Sequence, residues 1–132
     1  MTAPIFEMNV PVLPADIDGQ NHVNNTVYLR WVQEVAVAHW KSLASTDAQS
    51  AIRWLVLRHE IDYKIPASLG DEIVLRTWVG EASRLKFDRF TEVRRKIDNV
   101  LLAQARTVWV PIDIKTGKPT RVSGEVREKF SV

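Results

Sequence analysis

No cysteine occurs in this chain, which excludes disulfides, thiolate metal sites and cysteine nucleophiles together; any nucleophile is an oxygen or a nitrogen. The same lack fits a reducing compartment. No stretch approaches the roughly 18 consecutive apolar residues that a spanning helix needs, so no membrane span is expected. The opening MTAPIFEMNV has neither the basic nor the apolar region of a secretory signal, and the cytoplasm is the expected location. Charge of one sign is not in excess either, since 18 Lys and Arg against 16 Asp and Glu leave +2. Arg94-Arg95-Lys96 is the only run of three consecutive basic residues and reads as a solvated strand end, so no nucleic-acid partner is expected. His22, His39 and His59 are scattered without the i, i+4 spacing of a zinc helix; no metal and no cofactor are expected, and His39 and His59 read as hydrogen-bonded core or interface residues. Gly117-Lys118 lacks the spacer of a phosphate loop and reads as a turn. No internal repeat or low-complexity segment is present.

What is there is ordinary globular material: 132 residues with 45% hydrophobic and 26% charged side chains, the length of a single domain over 1–132 that buries a core without staples. Glu7 to Leu13 reads as a first strand near an edge or a bulge, because Pro11 lacks the ladder donor. From Asn24 the period changes to that of a helix. Val27, Tyr28, Trp31, Val32, Val35, Ala36, Ala38, Trp40 and Leu43 cover most of the wheel, and Thr26, Arg30, Gln33, Glu34 and Lys41 leave one narrow polar stripe broken by Val37. Asn24 or Asn25 is the expected cap. After a loop from Ser45 to Ser50, strands are predicted over Trp54–Ile65, Ile73–Ala82, Leu85–Ile97 and Val100–Asp113, separated by short turns that suit antiparallel neighbours. Ser123 to Phe130 is expected to add one or two helical turns.

One helix with one antiparallel sheet must be wrapped by that sheet. The sheet's outer face would gain from a second copy, and five tryptophans supply interface material, so a homodimer or homotetramer is expected. Within the last strand, Arg106 falls in phase with Val100, Leu102, Val108 and Val110, with Gln104 beside it, which calls for a partly wet face or a carboxylate from a neighbouring strand.

The stretch DIDGQNHVNN, Asp16 to Asn25, joins the first strand to the helix. A helix start carries unpaired amides and the positive end of the dipole, which hold an anion or polarise a carbonyl oxygen. Asp18, ionised at neutral pH, stands close by as a base toward water or as a nucleophile. A carbonyl polariser beside a carboxylate is equipment for acyl transfer, with His22 and Asn25 available to orient the Asp, the water or the loop. Turn and cap chemistry demands the same residue types, so residue chemistry leaves both readings open.

The pattern formed by Asp16, Asp18, His22, Val23, Asn24, Asn25 and Tyr28, followed by a long helix and four strands, resembles the hotdog-fold acyl thioesterases. It is similar to the 4-hydroxybenzoyl-CoA thioesterase type and to the acyl-carrier-protein thioesterases. Tyr63-Lys64-Ile65-Pro66 and Gly70-Asp71-Glu72-Ile73 extend the likeness along the chain. The resemblance implies an α+β hotdog fold, one long central helix wrapped by a five-stranded antiparallel sheet. It further implies an acyl-CoA thioesterase that releases free acid and thiol from an acyl-CoA or acyl-carrier-protein thioester bound between two subunits. Carried over residue by residue, it makes Asp18 the catalytic carboxylate, as nucleophile or as general base. The amides near Asn25 and Thr26 then take the oxyanion role, while Asp16, His22 and Asn24 hold the loop. Tyr28 is expected to line the acyl pocket or, as the preferred reading, to pack. Gln20 stands where the acyl-carrier-protein group has a catalytic Asn, and Asn21 follows it, so a triad built on that Asn is not carried over. Glu34, where another hotdog lineage has a helix carboxylate, reads as a solvated or interface charge. Arg84, Lys86 and Arg121 are the cations available for a carrier's phosphates. Trp31, Trp54, Trp78 and Phe87 are all eligible to close the acyl tunnel.

Two competing readings are a non-catalytic hotdog domain that binds acyl carriers or partner proteins, and a hotdog hydratase or dehydratase. The first would show a loop whose polar groups are consumed by mutual hydrogen bonds. The second pairs Asp and His across four residues with a proline nearby, whereas three residues and no proline separate Asp18 from His22.

Overall fold

The computed structural model describes residues 4–82 and 85–130. Strand β1 covers Phe6–Pro11, helix α1 Asn25–Leu43, helix α2 Thr46–Ala51, β2 Ile52–Tyr63, β3 Glu72–Ala82, β4 Phe87–Arg95, β5 Leu101–Asp113 and helix α3 Gly124–Phe130. The strands form one antiparallel sheet in the order β1-β3-β4-β5-β2. β1 is an edge strand and Pro11 is its last residue, where a missing donor costs the ladder least.

Helix α1 starts where Asn24 supplies its side-chain cap and ends where the Ala44 N–H returns to the Trp40 carbonyl. Its sheet-facing side buries Val27, Tyr28, Trp31, Val32, Val35, Ala36 and His39, and the polar stripe, with Val37 in it, faces out. The loop expected over Ser45 to Ser50 is instead mostly helical: Ser45 accepts the Ala48 N–H at 3.1 Å and the Gln49 side chain reaches the Ala44 carbonyl at 3.0 Å. No residue of α2 is fully buried, although Ala48 packs against the second apolar cluster, so the caps do much to hold it and no helical period marks it.

Period-2 alternation governs the strands. In β4, Phe87, Arg89, Thr91 and Val93 are buried on the α1 side while Asp88, Phe90, Glu92 and Arg94 face out. The outer face carries charged rows, including Arg76 to Glu92 at 3.1 Å, and a Trp78–Phe90 stack at 6.0 Å between ring centroids. Arg106 belongs to this face and pairs with Asp88 at 3.0 Å and Glu60 at 3.3 Å, as a cation in a sheet requires. It is out of phase with Leu102, because the β4–β5 register shifts beside Leu102 and turns that side chain into the core.

Two apolar clusters fill the space between α1 and the sheet. One joins Val12, Val23, Val27, Trp31, Ile73, Val93 and Leu102 near the start of α1. The other joins Val79, Phe87, Val122, Val126 and Phe130 near its end, with Trp40, Trp54 and Trp109 against it.

Candidate active site

Beyond Leu13 the chain makes one 3₁₀ turn, Pro14–Asp16, that buries Asp16. Its Oδ2 accepts the Leu13 N–H at 2.9 Å and its Oδ1 accepts Arg30 Nη2 at 3.1 Å. Its carbonyl accepts the Asn24 N–H at 2.9 Å. Both side-chain oxygens are therefore occupied, and Asp16 is an anchor. Glu34 holds Arg30 from the other side, Nε to carboxylate at 3.3 Å, in an exposed pair.

Ile17 and Val23 then pair across a narrow ribbon whose tip is Asp18 to His22. The Asp18 N–H donates to the His22 carbonyl at 2.9 Å, and the Asn21 N–H returns to the Asp18 carbonyl at 3.1 Å. Asn21 has φ +64°, a left-handed conformation that asparagine tolerates well. Asp18 Oδ1 accepts the Gln20 N–H at 2.9 Å. Its Oδ2, the His22 ring and the Asn25 side chain take no hydrogen bond among the described residues. The link between Asp18 and His22 is thus through backbone, and the His22 ring is exposed.

The ribbon leads into the start of α1. Asn24 Oδ1 accepts both the N–H and the hydroxyl of Thr26 at 2.9 Å, and the Asn24 carbonyl accepts the Val27 N–H. The Thr26 amide, expected beside that of Asn25 in the oxyanion role, is therefore consumed by the cap. The Asn25 N–H has no acceptor among the described residues. Tyr63 donates its hydroxyl to the Asn25 carbonyl at 3.2 Å. Tyr28 packs edge-on against Trp31 and Tyr63, and its hydroxyl accepts the Ala67 N–H at 2.8 Å. Burial raises its pKa, so it stays a neutral phenol. The Ala67 carbonyl in turn accepts the Val23 N–H at 3.0 Å. Ribbon, helix start and β2–β3 loop are clamped together.

Two of the candidate phosphate-binding cations, Lys86 and Arg121, lie elsewhere. Arg84 falls outside the described residues. Lys86 and Arg121, both exposed, adjoin Phe87 and Val122 of the second cluster. Val93, in the first cluster, is six residues from Phe87 along β4, or roughly 20 Å. One chain does not bring Lys86 and Arg121 to Asp18. Of the aromatic residues eligible to close a tunnel, Trp31 is buried in the first cluster and Trp78 lies on the outer face. Trp54 and Phe87, with Trp40 and Trp109, line a cavity of about 330 Å³ under the second half of α1.

The same cavity wall holds a residue that the sequence reading passed over. Arg89 is 7% exposed, and its Nη1 donates to His39 Nδ1 at 3.0 Å and to Thr77 Oγ1 at 3.1 Å. The Thr77 hydroxyl donates to the Phe90 carbonyl, and the Phe6 and Phe130 rings enclose His39. Burial and the neighbouring guanidinium lower the His39 pKa to about 4, so the imidazole is neutral and accepts at Nδ1. Burial brings Arg89 down to about 10, which leaves it cationic at neutral pH. Its phase with Phe87, Thr91 and Val93 was the signal in the sequence. His59 donates or accepts at Thr107 Oγ1, 3.0 Å away, in keeping with a hydrogen-bonded strand residue.

Residues 12–130 match the family described as the thioesterase-like superfamily. The long-chain acyl-CoA thioesterase FadM of Escherichia coli strain K12 is 28% identical over 95% of this chain and 96% of its own. The solved structure of the probable thioesterase YbaW from Escherichia coli superposes with a TM-score of 0.79 at 26% identity, covering 93% of this chain and 94% of that one. A 1,4-dihydroxy-2-naphthoyl-CoA thioesterase from Synechocystis shares the fold with a TM-score of 0.81 at 22% identity, covering 96% and 95%.

Proposed function

This chain belongs to the thioesterase-like superfamily, and from that premise we propose that it is an acyl-CoA thioesterase whose chemistry is centred on Asp18. The thioester carbonyl oxygen accepts the Asn25 N–H at the positive end of α1, which favours the developing oxyanion. The Asp18 carboxylate takes a proton from a water that attacks the carbonyl carbon, or itself attacks that carbon to form a mixed anhydride that water then hydrolyses, regenerating the carboxylate. The thiolate leaves and is protonated, and free acid and thiol depart. Asn24 positions the helix start and His22 closes the ribbon through its carbonyl. The observation that carries this reading is the clamp between the Asp18 ribbon and the helix start, with Asp18 Oδ2 and the Asn25 N–H both left open among the described residues. A loop serving only as a cap would have its polar groups spent on one another.

The single 1–132 domain works as a homo-oligomer in this proposal. β2 is an edge of the sheet with Leu55 and Leu57 each 51% exposed, and a second copy covers it by pairing its own β2 antiparallel. Reversal of direction across that two-fold brings the Lys86 and Arg121 end of one copy toward the Asp18 end of the other, so carrier phosphates and thioester are held by different copies. An acyl-carrier protein is the alternative carrier, and the cytoplasm is the proposed compartment.

The test is thiol release from short, long and aromatic acyl-CoAs by the native protein and by Asp18→Asn. We expect hydrolysis to fall by at least about a hundredfold in the variant, as loss of a catalytic acid, base or nucleophile produces. Equal turnover by both proteins, or none by either, overturns the reading.

A further inference from the structure

The buried cation in the second cluster calls for an explanation that the reaction at Asp18 does not supply. A guanidinium removed from water is costly unless an anion accompanies it. Arg89 has only a neutral imidazole and a hydroxyl for company, and no carboxylate pairs with it among the described residues. Nη1 spends both of its hydrogens on those two partners, and Nε and Nη2 have no acceptor among the described residues. Arg89 is also part of the cavity wall. Trp54 and Trp109 contribute their rings to the same wall, their indole N–H groups being buried away from accessible space without a partner among the described residues. The remainder of the wall is chiefly apolar: Ala36, Val37, Trp40, Phe87 and Phe130.

Such a wall carries one cation with two donor nitrogens left open and is otherwise greasy. We propose that this cavity binds an apolar chain that ends in a carboxylate, with the carboxylate seated on Arg89. A planar guanidinium with two adjacent donors free matches a carboxylate in a bidentate grip. At about 330 Å³ the cavity is at the small end for ligand sites, which suits a chain rather than a nucleotide. It runs along α1 from Gln33 to Trp40, roughly 12 to 22 Å from the helix start at 1.5 Å per residue.

Two sources offer this chemistry. One is a free fatty acid, the product class of thioester hydrolysis; the other is the distal end of a thioester whose chain carries a second carboxyl. Assigning either source rests on the thioesterase reading, whereas the carboxylate site itself does not.

The first arm uses binding alone. 8-Bromooctanoate and 8-bromooctanol are titrated into the native protein, the bromine quenching tryptophans of the cavity wall. The acid is expected to bind at least about tenfold more tightly than the alcohol, the scale of a charge-assisted grip. Arg89→Met should erase that preference and Arg89→Lys should keep part of it. Equal binding of acid and alcohol by the native protein overturns the proposal even where Arg89→Met fails to fold, and so does a preference that survives in a folded Arg89→Met. The second arm compares turnover of octanoyl-CoA with that of its ω-carboxyl analogue octanedioyl-CoA. A preference for the analogue that Arg89→Met abolishes assigns the site to the substrate's far end, and inhibition by octanoate without that preference assigns it to the free acid. Absence of turnover on every ester overturns the thioesterase reading and leaves the quenching result to decide the cavity.

Discussion

Two aspartates two positions apart end in opposite circumstances. Asp16 is 2% exposed and satisfies Leu13 and Arg30 together, while Asp18 keeps an oxygen without a partner among the described residues. Replacing Asp16 by Asn weakens a buried charge-assisted contact, so we expect a loss of about 1 to 3 kcal/mol in urea unfolding. Asp18→Asn keeps its turn acceptor and should stay within about 0.5 kcal/mol of the native protein, separating fold from chemistry. Residue chemistry alone does not distinguish the two in DIDG, where only the family resemblance separates them, because the difference depends on an arginine fourteen positions downstream of Asp16. His39 gives a pH signature. It titrates at about 4 in the fold, below its ordinary 6.5, so between those values the unfolded chain binds a proton that the native state refuses. Stability is therefore full above pH 6.5 and falls as pH drops toward 4, by about 3 kcal/mol from this group. His59, also lowered by burial, adds to the fall with the same sign. Denaturant midpoints at pH 7 and pH 4 check this, and His39→Gln should flatten much of the slope.

At the scale of elements, periodicity made most of the fold legible. The bounds of α1 follow from Asn24 and the apolar wheel, and the strands agree with their alternation to within a few residues. What stayed hidden lacks a local pattern: α2, of which no residue is fully buried, and the register shifts beside Leu57 and Leu102, which only neighbouring strands determine. Arg89 was hidden for a different reason, since a charged residue between Asp88 and Phe90 looks solvated until the sheet assigns it a face. The open edge of β2 yields a further prediction. With Leu55 and Leu57 both replaced by Arg, sedimentation should shift from an oligomer to a single 15.1 kDa species, as charges on an edge oppose strand pairing. Thioester turnover should fall with it, since the proposed site draws on two copies.

The whole molecule has two centres. One cluster supports the Asp18 ribbon and the start of α1; the other surrounds Arg89, the cavity and α3. Sites this far apart without shared partners add independently, so the unfolding free energies of Asp18→Asn and Arg89→Met should sum in the double variant within about 0.5 kcal/mol. A larger deviation, measured in urea, would mean that the clusters respond as one. Separation of this kind bears on how such a chain diversifies over evolutionary time. Substitutions around Trp54, Phe87 and Phe130 can alter what the cavity admits while the clamp from Asp16 through Tyr28 to Ala67 is inherited unchanged. Descendants of one ancestor can then part company in what they recognise and still keep a common reaction.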